Sequence, residues 1–373
     1  MHSVPVQYAG RLGRTIVRRV TRLDPLAYLP LPPRPPGARP AVGLVGFYGH
    51  GNYGDELFLE VFREHLGDEF ELLSILDPAN RRTIARRLGS GIRGSDAIVI
   101  GGGDIVIPWS FASRYWESAY LRRPVLIAGV GVPTWRPSVP EVVRQLGSFF
   151  GHRNVRFIGA RDPQSAGWIE KHLQPTAPLA TAPDLVCGLT LPPVVRPAGQ
   201  PIFGVAVRSR GEPDDLTQVR RLCERAVELG YRVRRIVLAT GKVRRRDEAA
   251  TDGLDLADTE LVSSDDLDVI SRAIGECTAM TSMKFHGVVV ATMYGVPAIA
   301  TMPTDKTRNF LRGIGRPDLL SVYSNPELPS VLHRDLAPIA DEIRTRLRAE
   351  AVAHLADLRE HLRIATAEGA RAG

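Results

Sequence analysis

TSMKFHGVVVATMYGVPAIATMPTDK, residues Thr281–Lys306, carries the pattern that decides how this chain folds. Small polar residues come first, then a cation and an imidazole, Lys284 and His286. A run of small and apolar residues ends at Gly295, and Val296-Pro297 leads into a second apolar run. This order predicts a helix, a glycine stop and a short buried strand. Lys284 and His286 then fall in the first turn of the helix, where unpaired backbone N–H groups and the helix dipole favour an anion. A buried structural histidine at a helix start would read the same way, so the neighbouring sequence has to separate the two.

Upstream of this stretch the pattern is regular. Strands are expected at Ile202–Val207, ending in Arg208, at Val233–Leu238 and at Thr278–Thr281, with helices at Leu216–Leu229 and Asp265–Ile274. Arg244-Arg245-Arg246 reads as a solvated loop. LPPVVRPAGQP, Leu191–Pro201, reads as a linker. Before it a similar alternation runs from Ala41. Val42–Tyr48 is a strand, GHGNYGDE (Gly49–Glu56) a tight turn containing Gly51, Asn52 and Gly54, and Leu57–Leu66 a helix. Strand, glycine turn and helix follow the ligand-cradling logic of nucleotide folds. The turn is not read as a GxGxxG with a following acidic ribose ligand, and GK[ST] is absent, so NAD and ATP are not expected. Asp55 stands at the expected helix start, either as its N-cap or as a group that holds or deprotonates a substrate hydroxyl.

Further strands are expected at Phe70–Leu76, at Asp96–Ile100, at Val125–Ala128 and at Val155–Ala160. The second ends in Gly101-Gly102-Gly103-Asp104, the third in GVGVP and the fourth in Arg161-Asp162. Asn80–Leu88 reads as a basic helix and Ser165–His172 as another. Glycines and polar residues thus gather at one rim of a parallel sheet, where open α/β sheets bind ligands. The fold class is α/β, with two Rossmann-like domains facing a cleft. The expected divisions are 1–40, a basic segment with a proline-rich linker; 41–190, the first domain; 191–201, the linker; 202–330, the second domain; and 331–373, a helical tail. The tail helix, Ala337–Ala365, is expected to pack back across the first domain.

The 373 residues are 44% hydrophobic and 24% charged, a normal globular composition. A net charge of +7 and a pI near 9.6 suit anionic partners. No zinc-ligand spacing, aromatic RNA-binding signature or dense basic run points to nucleic acid. Cys187, Cys223 and Cys277 are far apart and fit buried thiols in a reducing compartment, not a disulfide framework or a metal site. No apolar run is long enough for a membrane span, and the N-terminus lacks a secretory signal pattern. In residues 8–23, Leu12, Ile16, Val20 and Leu23 share a helical face opposite several arginines. Contact with an anionic membrane surface is expected there, although the same residues would also suit a transit peptide or a helix packed on the main body. A cytoplasmic protein, peripheral at the inner face of the membrane, is the expected setting.

GFYGHGNYGDE, GGGD, GVGVP, ARDPQS and MKFHG with the following GVPAIAT and DK occur in this order. The ordered set resembles the polysaccharide pyruvyl transferase family over roughly residues 42–320. The resemblance implies a GT-B-like fold and transfer of the pyruvyl group of phosphoenolpyruvate to two hydroxyls of one sugar, giving a pyruvate ketal and phosphate. Phosphoenolpyruvate is then a co-substrate, and no cofactor or metal is implied. The acceptor is a glycan or lipid-linked saccharide. His286 falls on the family's histidine, implicated in donor binding and catalysis, and Arg208 on its donor-binding arginine. Lys284 stands where the family often has arginine, which keeps the charge but loses the bidentate fork. Lys306 stands where the family carries a lysine. Asp104 replaces a small polar residue after the glycines.

Binding so charged a donor requires cations and N–H groups, which Arg208, Lys284, Lys306 and the helix start at Ser282–His286 supply. His286 suits the proton transfers. Asp55 and Asn52 are the candidates for base function and acceptor contact on the first domain. Gly51, Gly54, Gly102, Gly103 and Asp104 line the same rim, and Arg161 is expected there as a partner for a rim carboxylate. Two other readings stay open: a GT-B glycosyltransferase using a sugar nucleotide, and a non-catalytic glycan-binding homologue.

Overall fold

The computed structural model describes residues 37–76, 90–209, 215–333 and 336–371. Two all-parallel sheets organise it. The first contains β1 (Ala41–Val45), β2 (Glu71–Ser74), β3 (Ala97–Gly103), β4 (Val125–Val130), β5 (Val155–Ala160) and β6 (Leu179–Thr181), in the order β2-β1-β3-β4-β5-β6. The second contains β7 (Ile202–Ala206), β8 (Arg232–Ile236), β9 (Glu260–Val262), β10 (Ala279–Ser282) and β11 (Ala298–Ala300), in the order β11-β10-β7-β8-β9. The central strands β1, β4, β7 and β10 are buried along their whole length, as parallel strands covered on both faces must be.

The helices are α1 (Tyr53–Leu66), α2 (Pro140–Phe150), α3 (Pro163–Leu173), α4 (Thr217–Glu228), α5 (Gly241–Asp252), α6 (Leu267–Gly275), α7 (Phe285–Met293), α8 (Asp305–Gly313) and α9 (Asp341–Arg371). The strand order reverses between β1 and β3 in the first sheet and between β7 and β10 in the second. Such reversals open a crevice at the carboxyl ends of the strands. The turns after β1, β3, β7 and β10 carry the glycine motif, Asp104, Arg208 and Lys284 with His286, so the folding pattern alone assembles both groups of candidates.

Several expectations change. Helix α1 starts four residues before Leu57, at Tyr53, and its N-cap is Asn52. Asp55 therefore lies inside the first turn and is not the cap; the Asn52 carbonyl already accepts the Asp55 and Glu56 amides. Arg244–Arg246 lie in helix α5, not in a loop. Arg244 reaches Asp265 at 3.0 Å. All three cysteines are free and buried, as expected. Among the described residues no helix is long and apolar enough to cross a membrane. Residues 8–23 and the basic stretch Asn80–Leu88 lie outside the described residues.

One hydrophobic core runs through both halves, from Val42 and Phe58 to Val288 and Ile299. Helix α9 straps it. The chain leaves the second sheet where the Ile339 amide donates to the Gly295 carbonyl at 3.1 Å. Leu347, Ala351, Leu355, Leu358 and Leu362 recur on one buried face, laid against β3–β5 and the short turn Leu185–Gly188. Arg363 then grips Glu69 through two hydrogen bonds of 2.6 Å. Each fully buried leucine contributes about 1.5–3 kcal/mol. Leu358→Ala leaves a cavity under this strap and is expected to lower stability by about 2–5 kcal/mol, measured by urea unfolding.

Candidate functional site

The connector from β10 to α7 is shaped by Ser282. Its hydroxyl accepts the Lys284 amide at 3.0 Å and donates to the Lys284 carbonyl at 2.8 Å. This local turn starts α7 at Phe285, with Lys284 at the N-cap position and His286 in the first turn. His286 is only 9% exposed. Its Nε2 lies 3.5 Å from Oδ2 of Asp184, and among the described residues neither atom has a further polar partner within hydrogen-bond distance. Phe58 and Phe285 flank the ring edge-on. The other nitrogen, Nδ1, lies against Gly54 in the first turn of α1. A Cβ at position 54 would sit 1.7 Å from it, so only glycine lets the two helix starts approach this closely.

Asp184 continues into a chain of alternating charges. Arg161 Nη1 is 3.8 Å from Asp184, and Arg161 Nη2 bonds Asp104. Lys306, from the second half, reaches Asp104 at 3.1 Å. Arg161 and Lys306 both lie over the Phe285 ring, at 5.3 and 5.6 Å. Gly131 of the GVGVP motif makes room, since a Cβ there would meet both Arg161 and Asp104. Burial works to raise the carboxyls of Asp104 and Asp184, but their cations outweigh it. Lys306 and Arg161 hold Asp104 far below the ordinary range, and His286 with Arg161 lowers Asp184. Arg161 is raised: burial opposes its charge, but Asp104 and Asp184 outweigh the effect.

Asp55 behaves in the opposite way. Burial raises its pKa, only partly offset by the Asn52 amide at 2.5 Å and by the charges of His286 and Lys306. Gly102 and Gly103 end β3 with φ of 86° and 89°, and Gly103 faces Asp55. Asp55 is thus a half-buried carboxyl with a raised pKa, one residue from the Gly54 backbone on which His286 rests.

The remaining expected residues separate into distinct roles. Lys284 is not free to grip an anion: its ammonium is 2.5 Å from Asp247 and donates to the Leu238 carbonyl at 2.7 Å. Burial lowers its pKa, and the charge of nearby Arg208 adds to that. Arg208 is exposed at the end of β7. Arg161 and Asp104 are engaged with each other. The glycine turn does not present an empty anion cradle either. The Gly51 and Gly49 amides already donate to the Glu56 carboxylate, at 2.9 and 3.1 Å. Gly51 also accepts the Thr240 amide of the second half at 2.8 Å. A cavity of about 630 Å³ opens beside this bridge, lined by Gly49–Gly51, Glu56, Lys242 and Asp265. Another, of about 330 Å³, lies beyond the charge chain, between Arg161, Asp184, Phe285, Lys306 and Leu347 of α9.

Asp184 and Asp247 are the residues sequence reasoning missed. Asp184 interrupts the apolar run Ala182–Cys187, a carboxylate where burial is expected, and that signal was available. Asp247 is masked by the charge run before it.

The profile of one family, described as polysaccharide pyruvyl transferase, matches residues 52–303, from Asn52 in the glycine turn to Pro303 before α8. The chain belongs to that family. The match spans the candidates from Asn52 to Lys284 and His286; Lys306 lies just past its end. No curated protein matches the sequence significantly. Among solved structures, the S. aureus MnaA–UDP complex is similar at a TM-score of 0.57 and 11% identity, covering 87% of this chain and 97% of that one. The Neisseria meningitidis UDP-GlcNAc 2-epimerase bound to UDP-GlcNAc is similar at 0.52 and 10% identity, covering 86% and 99%. At such identities the likeness concerns the fold, a GT-B-like pair of parallel α/β sheets, as the sequence led one to expect.

Two stability tests follow from this geometry. Alanine in place of glycine normally stabilises a helix by about 0.5–1 kcal/mol; Gly54→Ala is expected to lower the melting temperature instead, because the new methyl collides with His286. Asp55 has a folded pKa above its ordinary 3.8. Its favourable contribution is fully present below that value and is lost as pH rises through the folded one, so at neutral pH the ionised group costs stability. Asp55→Asn should therefore raise the melting temperature at pH 7, with the gain shrinking as the pH approaches 4.

Proposed function

We propose that the chain transfers the pyruvyl group of phosphoenolpyruvate to two hydroxyls of one sugar in a glycan, forming a cyclic ketal and releasing inorganic phosphate. The observation that carries this reading is the meeting of His286 with Gly54 in the helix turn that also carries Asp55, where the switch points of both sheets face each other. Membership of the family supports the transferase reading and a polysaccharide acceptor. The N-terminal turn of α7, Arg208 and Lys306 receive the donor's phosphate and carboxylate.

With Nε2 turned to Asp184, the Nδ1 side of His286 faces the α1 turn that carries Asp55. The imidazolium protonates the methylene carbon of the enol, and positive charge develops at the carbon bearing phosphate. One sugar hydroxyl adds there and loses its proton to Asp55, for which a raised pKa is the useful property. The C–O bond to phosphate breaks, the second hydroxyl adds to the same carbon, and the ketal closes. Of the two hydroxyl protons, one replaces that given to the methyl group and the other leaves with phosphate. Asp184 stays ionised throughout. It orients the ring and balances its charge when both nitrogens are protonated.

The protein acts in the cytoplasm on an acceptor of the free or lipid-linked kind, and residues 8–23 bring it to the anionic inner face of the membrane.

His286→Ala is expected to reduce phosphate release from phosphoenolpyruvate, assayed with a panel of free and lipid-linked galactosides, glucosides and N-acetylmannosaminides, by about 10²–10⁴-fold with the fold retained. Near-normal release in that variant would sink the assignment. Thermal stabilisation by UDP-sugars and not by phosphoenolpyruvate would favour a sugar-nucleotide enzyme instead.

A further inference from the structure

The loops after β3 and β4 carry aromatic side chains that neither the core nor the acid/base chemistry uses. Trp135 is 58% exposed, and among the described residues it is the one aromatic side chain left mostly in water. It forfeits a large area of apolar burial by staying there. Trp109, from the neighbouring loop, is half-buried and meets it edge-on, with ring centroids 4.7 Å apart at 63°. The Arg136 guanidinium lies 4.6 Å from the Trp135 ring.

The pair is held in place from three sides. The Val139 amide donates to the Pro108 carbonyl at 2.9 Å, joining the two loops. Thr134, next to Trp135, donates its amide to Asp305 of the second half at 2.6 Å and its hydroxyl at 3.1 Å. Gln164 donates to the Thr134 hydroxyl at 3.1 Å. Asp305 directly precedes Lys306 of the charge chain. Trp109 follows Asp104 by only five positions, so chain reach keeps the pair within roughly 18 Å of that chain.

We propose that Trp109 and Trp135 form a saccharide subsite that holds pyranose units of the acceptor beside the unit being modified. This rests on the glycan-acceptor reading above. A pyranose presents a face of C–H bonds that packs on an indole and a rim of hydroxyls that needs donors. Trp135 offers the first, and Arg136, with five N–H groups, the second. The position also fits, because the loops extend the rim at the carboxyl ends of β3 and β4. Fixed rings lose little freedom on binding, which suits a weak repeated contact along a polymer. The consequence is selection by chain length: an oligosaccharide engages the subsite, while a single sugar at the acid/base pair does not.

The test is binding of the full chain to an array of bacterial-type and synthetic oligosaccharides, with monosaccharides as controls. Retention of oligosaccharides but not monosaccharides is expected. Trp135→Ala and Trp109→Ala should each weaken that retention about tenfold, with Trp135→Phe keeping most of it. Undiminished retention in both alanine variants, or no oligosaccharide retained by the unaltered chain, overturns the proposal. So does tryptophan-dependent binding to phosphatidylglycerol vesicles in place of glycans. The thermal shift with phosphoenolpyruvate is read on the same preparations and should survive Trp135→Ala. Its absence from the unaltered chain counts against pyruvyl transfer and leaves the saccharide subsite to be judged on the array.

Discussion

The imidazole of His286 rests against the backbone of Gly54, and the rest of the site depends on that contact. A side chain at position 54 would fill the space the ring occupies. Because there is none, the first turns of α1 and α7 approach each other, and each starts at the switch point of its own sheet. The Tyr53 hydroxyl bonds Ser271 at 2.7 Å alongside, and Phe58 closes over the ring. The hydrophobic core is continuous across the same junction. The catalytic candidates of the two halves are therefore held together by packing, and their relative position is as rigid as the core.

Charge has to be arranged around that fixed contact. Arg161 is nearly inaccessible, and an isolated guanidinium there would cost several kcal/mol in desolvation. Asp184 on one side and Asp104 on the other compensate it, and Lys306 compensates Asp104 in turn. Buried pairs of this kind add little net stability, since the attraction mostly repays desolvation. Their effect is positional: they fix Asp184 beside His286 and tie the second half to the first through Lys306. Asp55 stands outside the sequence of paired ions, which is why burial raises its pKa while those of Asp104 and Asp184 fall.

The sequence makes the fold legible because parallel strands buried on both faces read as short apolar runs, and the glycine and charged residues after them mark one rim. The runs at Val125–Ala128, Val155–Ala160 and Ile202–Val207 fall within one or two residues of β4, β5 and β7. The start of α1 was misjudged because Tyr53-Gly54 reads as turn; the glycine there is kept for the approach of His286, not for backbone freedom. Candidates could be gathered from motifs, but their pairing could not. Sequence spacing says nothing of Asp247 meeting Lys284 across 37 residues, or of Glu56 taking the loop amides expected to meet a ligand. Asp184 was visible as a charge inside an apolar run, yet its partner lies a hundred residues away.

These pairings decide where an anion can bind. Counting cations near the site overstates its attraction, because Lys284 is matched by Asp247, Lys306 by Asp104, and Arg161 by two carboxylates. An incoming phosphate gains from such a cation only what it gains in excess of the carboxylate already there. Arg208 differs: it is exposed, near Lys284, and forms no ion pair with a described carboxylate. The backbone just after it is nonetheless fixed, since the Ser209 amide donates to Asp247 at 3.0 Å. One carboxylate thus holds both the lysine and the segment after the arginine. By pairing with Lys284, Asp247 leaves Arg208 as the nearby cation without an ion pair to a described carboxylate, and in the proposed reaction that difference, more than the sum of charges, sets where the anionic donor is drawn.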